Sequence, residues 1–192
     1  LHMIGRFGMN GGAYQAVEFG GPAVIALSMQ ERMTLSNMSA ELGAQAGLIA
    51  PDDVTRDWLL GTGVPADAID ITPWFTDDDV GEADARTWRF DASTLAPQVA
   101  APHSPANTHP VGHFDDVAVQ VAYIGACTGA KLDDLRAAAH VFRGQRVASG
   151  VRLMVAPASQ QDQQQAEAEG VMGVLREAGA ELLPTACGAC SG

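Results

Sequence analysis

The sequence has few basic residues, and this shortage limits what the protein can bind. It contains 11 Lys and Arg against 23 Asp and Glu, which gives a formal net charge of −12. Lys and Arg also do not occur in runs. Because nucleic-acid binding requires basic side chains that neutralise phosphates, this composition argues against a nucleic-acid partner.

The sequence also lacks a long apolar run and a segment that resembles a signal peptide. No apolar stretch is long enough to cross a bilayer as a helix, and no basic segment followed by an apolar one opens the chain. We therefore expect a cytoplasmic protein with no membrane partner. Hydrophobic residues make up 47% of the chain and charged residues 18%, so a folded core is expected.

The first part of the chain is predicted to form an α/β domain over residues 1–112. Its glycine-rich segment, residues 5–21, predicts turns and a strand. Apolar residues at helical spacing predict a helix over residues 34–46, with Thr34 as its N-cap and Asn37 and Glu41 on one face. A second helix is predicted to begin near Asp52, whose carboxylate suits a helix N-terminus.

A proline-rich segment is predicted to close this domain as a linker. Residues 97–113 contain four prolines, which interrupt regular structure. The same segment holds His103, His109 and His113, whose spacing could hold a metal, although a solvated loop is the more ordinary interpretation.

The second part, residues 113–192, is predicted to form another α/β domain. Strands, helices and turns alternate in a βαβαβ pattern, which predicts a parallel sheet. The predicted elements are a strand at 117–124, a turn at 125–129, a helix at 132–142, a strand at 151–155, a helix at 160–178 and a strand at 181–183.

The three cysteines are the most informative residues. Cys127 follows the first strand of this pattern, and Cys187 and Cys190 follow the third. Because ligands collect at the carboxyl ends of parallel strands, we expect the three thiols at one edge of the sheet. The spacing leaves several interpretations open: an iron–sulfur cluster, a Cys₃His zinc site, a Cys-x-x-Cys redox pair, or unrelated structural cysteines.

Longer segments along the chain form a recognisable pattern. In chain order they are AVEFGGP at 16–22, RMTLSNMSAELGA at 32–44, IAPDD at 49–53, YIGACTGAKLDDLR at 123–136, VAPAS at 155–159, QAE at 165–167, EG at 169–170 and CGAC at 187–190. These segments resemble the aconitase superfamily, in particular the branch of the 3-isopropylmalate dehydratase and homoaconitase large subunits.

The resemblance implies a fold of three-layer α/β/α domains with mostly parallel sheets. It implies that Cys127, Cys187 and Cys190 hold a 4Fe–4S cluster with one iron that the protein does not ligate. It also implies that Glu41 hydrogen-bonds the water or hydroxyl on this iron and that Asn37 supports the cluster environment. The implied reaction moves a hydroxyl between neighbouring carbons of a hydroxy di- or tricarboxylate, with isopropylmalate as the expected substrate.

The sequence departs from the family pattern beside the first cysteine. Ala126 and Gly129 stand where the family usually has Ser and Asn, which changes the hydrogen bonding expected near the cluster. The family's early Asp-His and Asp-Ser-His segments, its Asn-Arg segment and its swivel domain have no counterpart here. We therefore expect a piece of a longer system, inactive alone, whose partner is a small swivel-domain subunit or a further C-terminal domain.

Two other classes of function remain possible from the sequence. The chain could be a binding or assembly module that keeps the scaffold without the chemistry. It could also be a thiol redox protein that uses Cys187 and Cys190, which would require a thiol with a lowered pKa.

Overall fold

The computed structural model describes residues 1–72 and 86–190, apart from the side chain of Cys190. The described α-helices are α1 (His2–Phe7), α2 (Pro22–Ile25), α3 (Met29–Met38), α4 (Asp53–Gly61), α5 (Ala126–Gly129), α6 (Leu132–Phe142), α7 (Gln160–Ala168) and α8 (Val171–Ala178). The described strands are β1 (Ala16–Phe19), β2 (Ala46–Ile49), β3 (Gln98–Ala100), β4 (Thr108–Pro110), β5 (Val121–Gly125), β6 (Arg152–Ala156) and β7 (Glu181–Leu182). Short 3₁₀ turns lie at Ala66–Ala68, Ala92–Thr94, Val111–Phe114 and Gly188–Cys190.

The chain divides into two compact units. Unit 1 comprises Leu1–Asp115 and unit 2 comprises Asp116–Gly192. The predicted domain boundary at residue 112 stays a prediction.

Unit 2 is built on a parallel sheet with the order β5-β6-β7. Both strand pairs, β5 with β6 and β6 with β7, are parallel. Helices α6, α7 and α8 contact one another and form a helical layer. The predicted α/β class, the parallel βαβαβ pattern and the helix over residues 132–142 are confirmed.

The core of unit 2 is a continuous apolar cluster between the sheet and the helices. Leu135, Val155, Met172 and Leu175 are fully buried within it. The prediction of one helix over residues 160–178 is wrong, because Gly170 adopts a left-handed conformation with φ of 74° and separates α7 from α8. The predicted strand at 117–124 is shorter than expected, and the predicted turn at 125–129 contains the one-turn helix α5.

Unit 1 contains a parallel pair of strands, β1 and β2, with α3 packed against β2. The prediction of a helix over residues 34–46 is wrong. Helix α3 begins at Met29, five residues before Thr34, and its N-cap is Ser28, whose side chain and that of Glu31 form a reciprocal capping box. The helix ends at Met38, and Ala46 belongs to β2 because its backbone pairs with Ala16.

The sequence predicted that the proline-rich segment of unit 1 is a linker without regular structure, and this prediction is wrong. The segment forms an antiparallel pair of strands, β3 and β4. Pro97 precedes β3 and Pro110 is the last residue of β4, so these two prolines lie at strand ends. Prolines are tolerated there because little of the ladder depends on their missing N–H groups. Pro102 and Pro105 lie in the connection between the strands.

Within the described ranges, no helix is both long enough and apolar enough to span a membrane.

Candidate functional site

Cys127 lies where β5 ends. Strand β5 ends at Gly125, and the one-turn helix α5 begins at Ala126. Cys127 is therefore the second residue after the strand. The Cys127 side chain is exposed and forms no disulfide bond. Ala126 is buried and has a φ of 60°, a left-handed conformation that is strained for a residue with a Cβ. The chain therefore turns sharply at the point where the strand delivers Cys127.

Lys131 anchors the turn that carries Cys127. Its side chain is only 8% exposed, and its Nζ donates hydrogen bonds to the carbonyls of Cys127, at 3.0 Å, and Thr128, at 3.3 Å. The same ammonium lies 3.5 Å from a carboxylate oxygen of Asp134. Lysine at the end of a helical turn satisfies carbonyls that have no partner within that turn. This role of Lys131 was not predicted from the sequence, although Lys131 stands four residues after the cysteine.

Cys187 begins the paired-cysteine segment and lies close to β5. The 3₁₀ turn Gly188–Cys190 contacts β5, and the Tyr123 hydroxyl donates a hydrogen bond of 3.3 Å to the Cys187 carbonyl. The Cys187 thiol is exposed and free. The side chain of Cys190, the third predicted ligand, lies outside the description.

The structure supports part of the predicted convergence. It brings the backbone of Cys187 against the strand that leads into Cys127, as expected if both follow carboxyl ends of one sheet. Among the described side chains, no group of three His, Cys, Asp or Glu residues is arranged to hold a metal ion. The Cys190 side chain is not among the described ones, so the predicted three-thiol site stays a prediction.

Asn37 and Glu41 do not share a helix face, which corrects the sequence-based expectation. Asn37 lies exposed in the last turn of α3, whereas Glu41 lies in the turn that follows the helix. The turn that contains Glu41 ends at Gly43. A glycine is needed there because its φ is 81° and because a Cβ would approach the backbone of Met9 and Asn10 too closely. Glu41 Oε2 is buried and has no hydrogen-bond partner among the described residues.

Arg32 and Asp52 form a bidentate ion pair in the same unit. The Arg32 guanidinium is 3% exposed and donates bidentate hydrogen bonds of 2.7 and 2.8 Å to the two carboxylate oxygens of Asp52. Arg32 also donates to the carbonyls of Ile25 and Leu27. The hydrogen bonds from Arg32 to the Asp52 carboxylate hold the pKa of Asp52 below its usual range.

Asp52 has a second role, which the sequence analysis predicted. Its side chain accepts a hydrogen bond from the backbone N–H of Thr55 and caps α4. Arg32 and Asp52 thus both form hydrogen bonds within the protein. Arg32 also lines a groove of about 440 Å³ beside the carboxyl ends of β1 and β2. The groove therefore does not offer a free guanidinium to an anionic ligand.

The three histidines of the proline-rich segment do not form a metal site by themselves. The rings of His109 and His113 stack with their centroids 4.5 Å apart. Among the described residues, no group including these two and His103 has the arrangement of metal ligands.

A comparison with protein families matches the whole chain. The family model described as the Aconitase family (aconitate hydratase) matches residues 1–117 and 112–192.

Curated relatives match the chain along its full length. The chain is 38% identical to the 3-isopropylmalate dehydratase large subunit of Desulfatibacillum aliphaticivorans and 40% identical to that of Halothermothrix orenii, in each case over 100% of this chain and 44% of the relative. It is 38% identical to the probable methanogen homoaconitase large subunit of Methanosarcina mazei, over 100% of this chain and 47% of that protein. The chain thus spans less than half the length of these relatives.

Proposed function

The chain belongs to the aconitase family, and we propose that it is the cluster-carrying part of an iron–sulfur hydro-lyase. The observation that carries the proposal is the contact between the Cys187 segment and β5, the strand that ends beside Cys127. The proposed reaction removes a hydroxyl from a hydroxy di- or tricarboxylate and returns it at the neighbouring carbon. The names of the relatives favour 3-isopropylmalate as the substrate.

The donors present suit the proposed 4Fe–4S cluster. Cys127 and Cys187 are exposed and form no disulfide bond, and thiolates are the usual protein ligands of such clusters. Cys190 is proposed as the third ligand because it completes the paired motif. When bound, a cluster with three protein ligands supplies an iron with an open position that acts as a Lewis acid toward a leaving hydroxyl.

Three of the chain's own residues have proposed tasks in this reaction. Lys131 fixes the carbonyls of Cys127 and Thr128, so that the first thiol is held in one place. Glu41 is proposed to accept a hydrogen bond from the reacting hydroxyl or water, and Asn37 to support the surroundings of the cluster. Glu41 Oε2 is buried and has no hydrogen-bond partner among the described residues, which supports this assignment because buried polar atoms usually have one.

The proposal includes a partner. The relatives are named large subunits and are more than twice as long as the part that this chain matches. A small swivel-domain subunit, or a further domain of a longer chain, is proposed to supply the proton-transfer base and the remaining carboxylate contacts. The 192-residue chain alone is therefore expected to bind iron without converting isopropylmalate.

Anaerobic reconstitution with ferrous iron and sulfide tests the proposal. The purified chain is expected to take up equimolar iron and sulfide and to show visible charge-transfer absorption. The Cys127→Ser variant is expected to retain at least about tenfold less iron than the unmodified chain. Removing a group that only supports a metal ligand already lowers metal affinity about 10–100-fold. Val141→Ser is the matched control, since Val141 is 69% exposed on α6 of the same unit.

Each other outcome of this experiment contradicts a stated part of the proposal. No iron uptake by the unmodified chain would favour a binding or assembly module. Equal iron in the Cys127→Ser variant and the unmodified chain would exclude Cys127 as a ligand. Isomerase activity from the chain alone would contradict the need for a partner.

A further inference from the structure

The order of the strands in unit 2 separates the two cysteine-bearing segments. Cys127 follows β5 and Cys187 follows β7, but β6 lies between these strands. Neighbouring strands are about 4.8 Å apart, so the ends of β5 and β7 are about 10 Å apart. The chain after β7 must therefore return across the end of β6 for Cys187 to approach Cys127.

Tyr123 meets this returning segment on β5. Its hydroxyl donates a hydrogen bond of 3.3 Å to the Cys187 carbonyl across a separation of 64 residues. The tyrosine also contacts the next residue, since a Cβ on Gly188 would lie 2.7 Å from the Tyr123 hydroxyl oxygen and 3.4 Å from ring carbon Cζ. Gly188 has a φ of 52°, a conformation that also favours glycine. The CGAC motif thus fits closely against the tyrosine.

Gly125 provides the space that the Tyr123 ring occupies. Residues 123 and 125 lie on the same face of β5 because side chains alternate along a strand. A Cβ on Gly125 would overlap Cζ, Cε1 and the hydroxyl oxygen of Tyr123. The ring therefore lies along the strand towards its carboxyl end, where Cys127 follows, and its hydroxyl reaches the paired-cysteine segment.

We propose that Tyr123 is a positioning residue that holds the Cys187 segment at the end of β5 and thereby sets its place relative to Cys127. The consequence for iron binding rests on the proposed function, whereas the positioning itself does not require a cluster. The ring supports the Gly125 and Gly188 backbones, and the hydroxyl fixes the Cys187 carbonyl. When this hydroxyl is removed, the loop carrying two proposed ligands becomes more mobile and releases iron more readily.

The test uses the 192-residue chain with Tyr123→Phe, which removes only the hydroxyl, and Tyr123→Leu, which also removes the ring. Tyr14→Phe is the matched control, because Tyr14 is the chain's other tyrosine and is 74% exposed in unit 1. The first measurement is amide hydrogen exchange of residues 183–190 in the iron-free chain. Exchange is expected to be about two- to tenfold faster in Tyr123→Phe, the range for the loss of one net hydrogen bond. It should be faster still in Tyr123→Leu and unchanged in Tyr14→Phe.

The second measurement is the rate at which a chelator removes iron from the reconstituted chain, followed by visible absorption and electron paramagnetic resonance. Tyr123→Phe is expected to lose iron about two- to tenfold faster than the unmodified chain, for the same reason. It is also expected to show an altered resonance spectrum, which a general loss of stability would not produce in chains that remain loaded.

The two measurements separate this proposal from the proposed function. If the unmodified chain takes up no iron, the proposed function fails, and hydrogen exchange still decides whether Tyr123 positions the segment. If iron is taken up but Tyr123→Phe matches the unmodified chain in exchange, spectrum and iron loss, the hydroxyl has no positioning role and the inference is overturned. If only Tyr123→Leu changes exchange and iron loss, the ring packs against the segment but the hydroxyl does not position it. That result would also overturn the inference.

Discussion

The two units are stabilised in different ways. Unit 2 has a continuous apolar cluster, in which Leu135, Met172 and Leu175 are 0% exposed. Among the described residues of unit 1, the buried apolar side chains are Ile4, Leu42 and Ile71, and they are joined by the buried polar residues Arg32 and Ser39. Among the described residues of unit 2, buried apolar side chains are more numerous and the buried polar residue is Lys131. The comparison indicates that unit 2 depends mainly on apolar burial, whereas unit 1 depends more on oriented hydrogen bonds and one ion pair.

The positions of the tryptophans allow this comparison to be tested. Trp58, Trp74 and Trp88 are the chain's three tryptophans, and all belong to the residue range of unit 1. Tryptophan fluorescence therefore reports on unit 1. Far-ultraviolet circular dichroism includes the helices of both units, and amide hydrogen exchange resolves α6 and α8 of unit 2.

The largest expected effect is a cavity in the core of unit 2. Leu135→Ala is expected to lower the free energy of unfolding by about 2–5 kcal/mol, because Leu135 is 0% exposed and its removal leaves unfilled space. The measurement is hydrogen exchange of α6 and α8, together with denaturant unfolding followed by circular dichroism. Val141→Ala on the same helix is the control and should change stability by less than about 0.5 kcal/mol, since Val141 is 69% exposed. Equal losses in both variants would contradict an apolar core at Leu135.

The next effect is expected in unit 1, when the ion pair is broken. Asp52→Asn keeps a side chain that can cap α4 but removes the charge facing the buried Arg32 guanidinium. The loss is expected to be about 2 kcal/mol, less than for a fully buried pair because Asp52 is 35% exposed. Denaturant unfolding followed by tryptophan fluorescence measures it.

Asp53→Asn is the control for this variant, because Asp53 is the exposed neighbour in the first turn of α4. If the two variants unfold at the same denaturant concentration, unit 1 does not depend on the Arg32–Asp52 pair.

The smallest expected effect concerns an exposed ion pair of unit 2. Hydrogen bonds from Arg136 and then Gln165 lower the pKa of Glu169 from 4.5 to about 2. Because this pKa is lower in the folded state, the pair stabilises the fold above pH 4.5, and the contribution is lost as the pH falls towards about 2. Glu169→Gln should therefore lower the denaturation midpoint slightly at pH 7 and not at pH 2.

Unfolding curves at several pH values test this prediction. Glu177→Gln, at an exposed position on α8, is the control and should not reproduce the pH-dependent difference. A difference that is the same at every pH would exclude Glu169 ionisation as its origin.

The sequence predicted regular local structure better than long-range contacts. Helix α6 and the parallel βαβαβ pattern were predictable because apolar spacing and chain alternation are local signals. The error at residues 34–46 has a local cause: Thr34 resembled an N-cap, whereas Ser28 with Glu31 makes the stronger reciprocal cap. A closer reading of that Ser-x-x-Glu spacing could have found the true start of α3.

The contacts of the candidate site were less predictable. The Arg32–Asp52 pair joins residues 20 positions apart, and the Tyr123–Cys187 hydrogen bond joins residues 64 positions apart. No periodicity in the sequence connects such positions, since their approach is set by the sheet order and by the path of the chain between elements. The left-handed Ala126 was equally hidden, because alanine gives no local signal for that conformation.

The distance along the chain between the two cysteine segments also sets an order of events during synthesis. A nascent chain that has emerged only as far as β6 contains Cys127 but neither Cys187 nor the segment that Tyr123 contacts. Because Cys187 follows β7 in the chain, the two cysteine segments can meet only after residues 127–187 have all been synthesised, and their contact closes a long loop. Any ligand shared by both segments is therefore taken up only after this region has been translated.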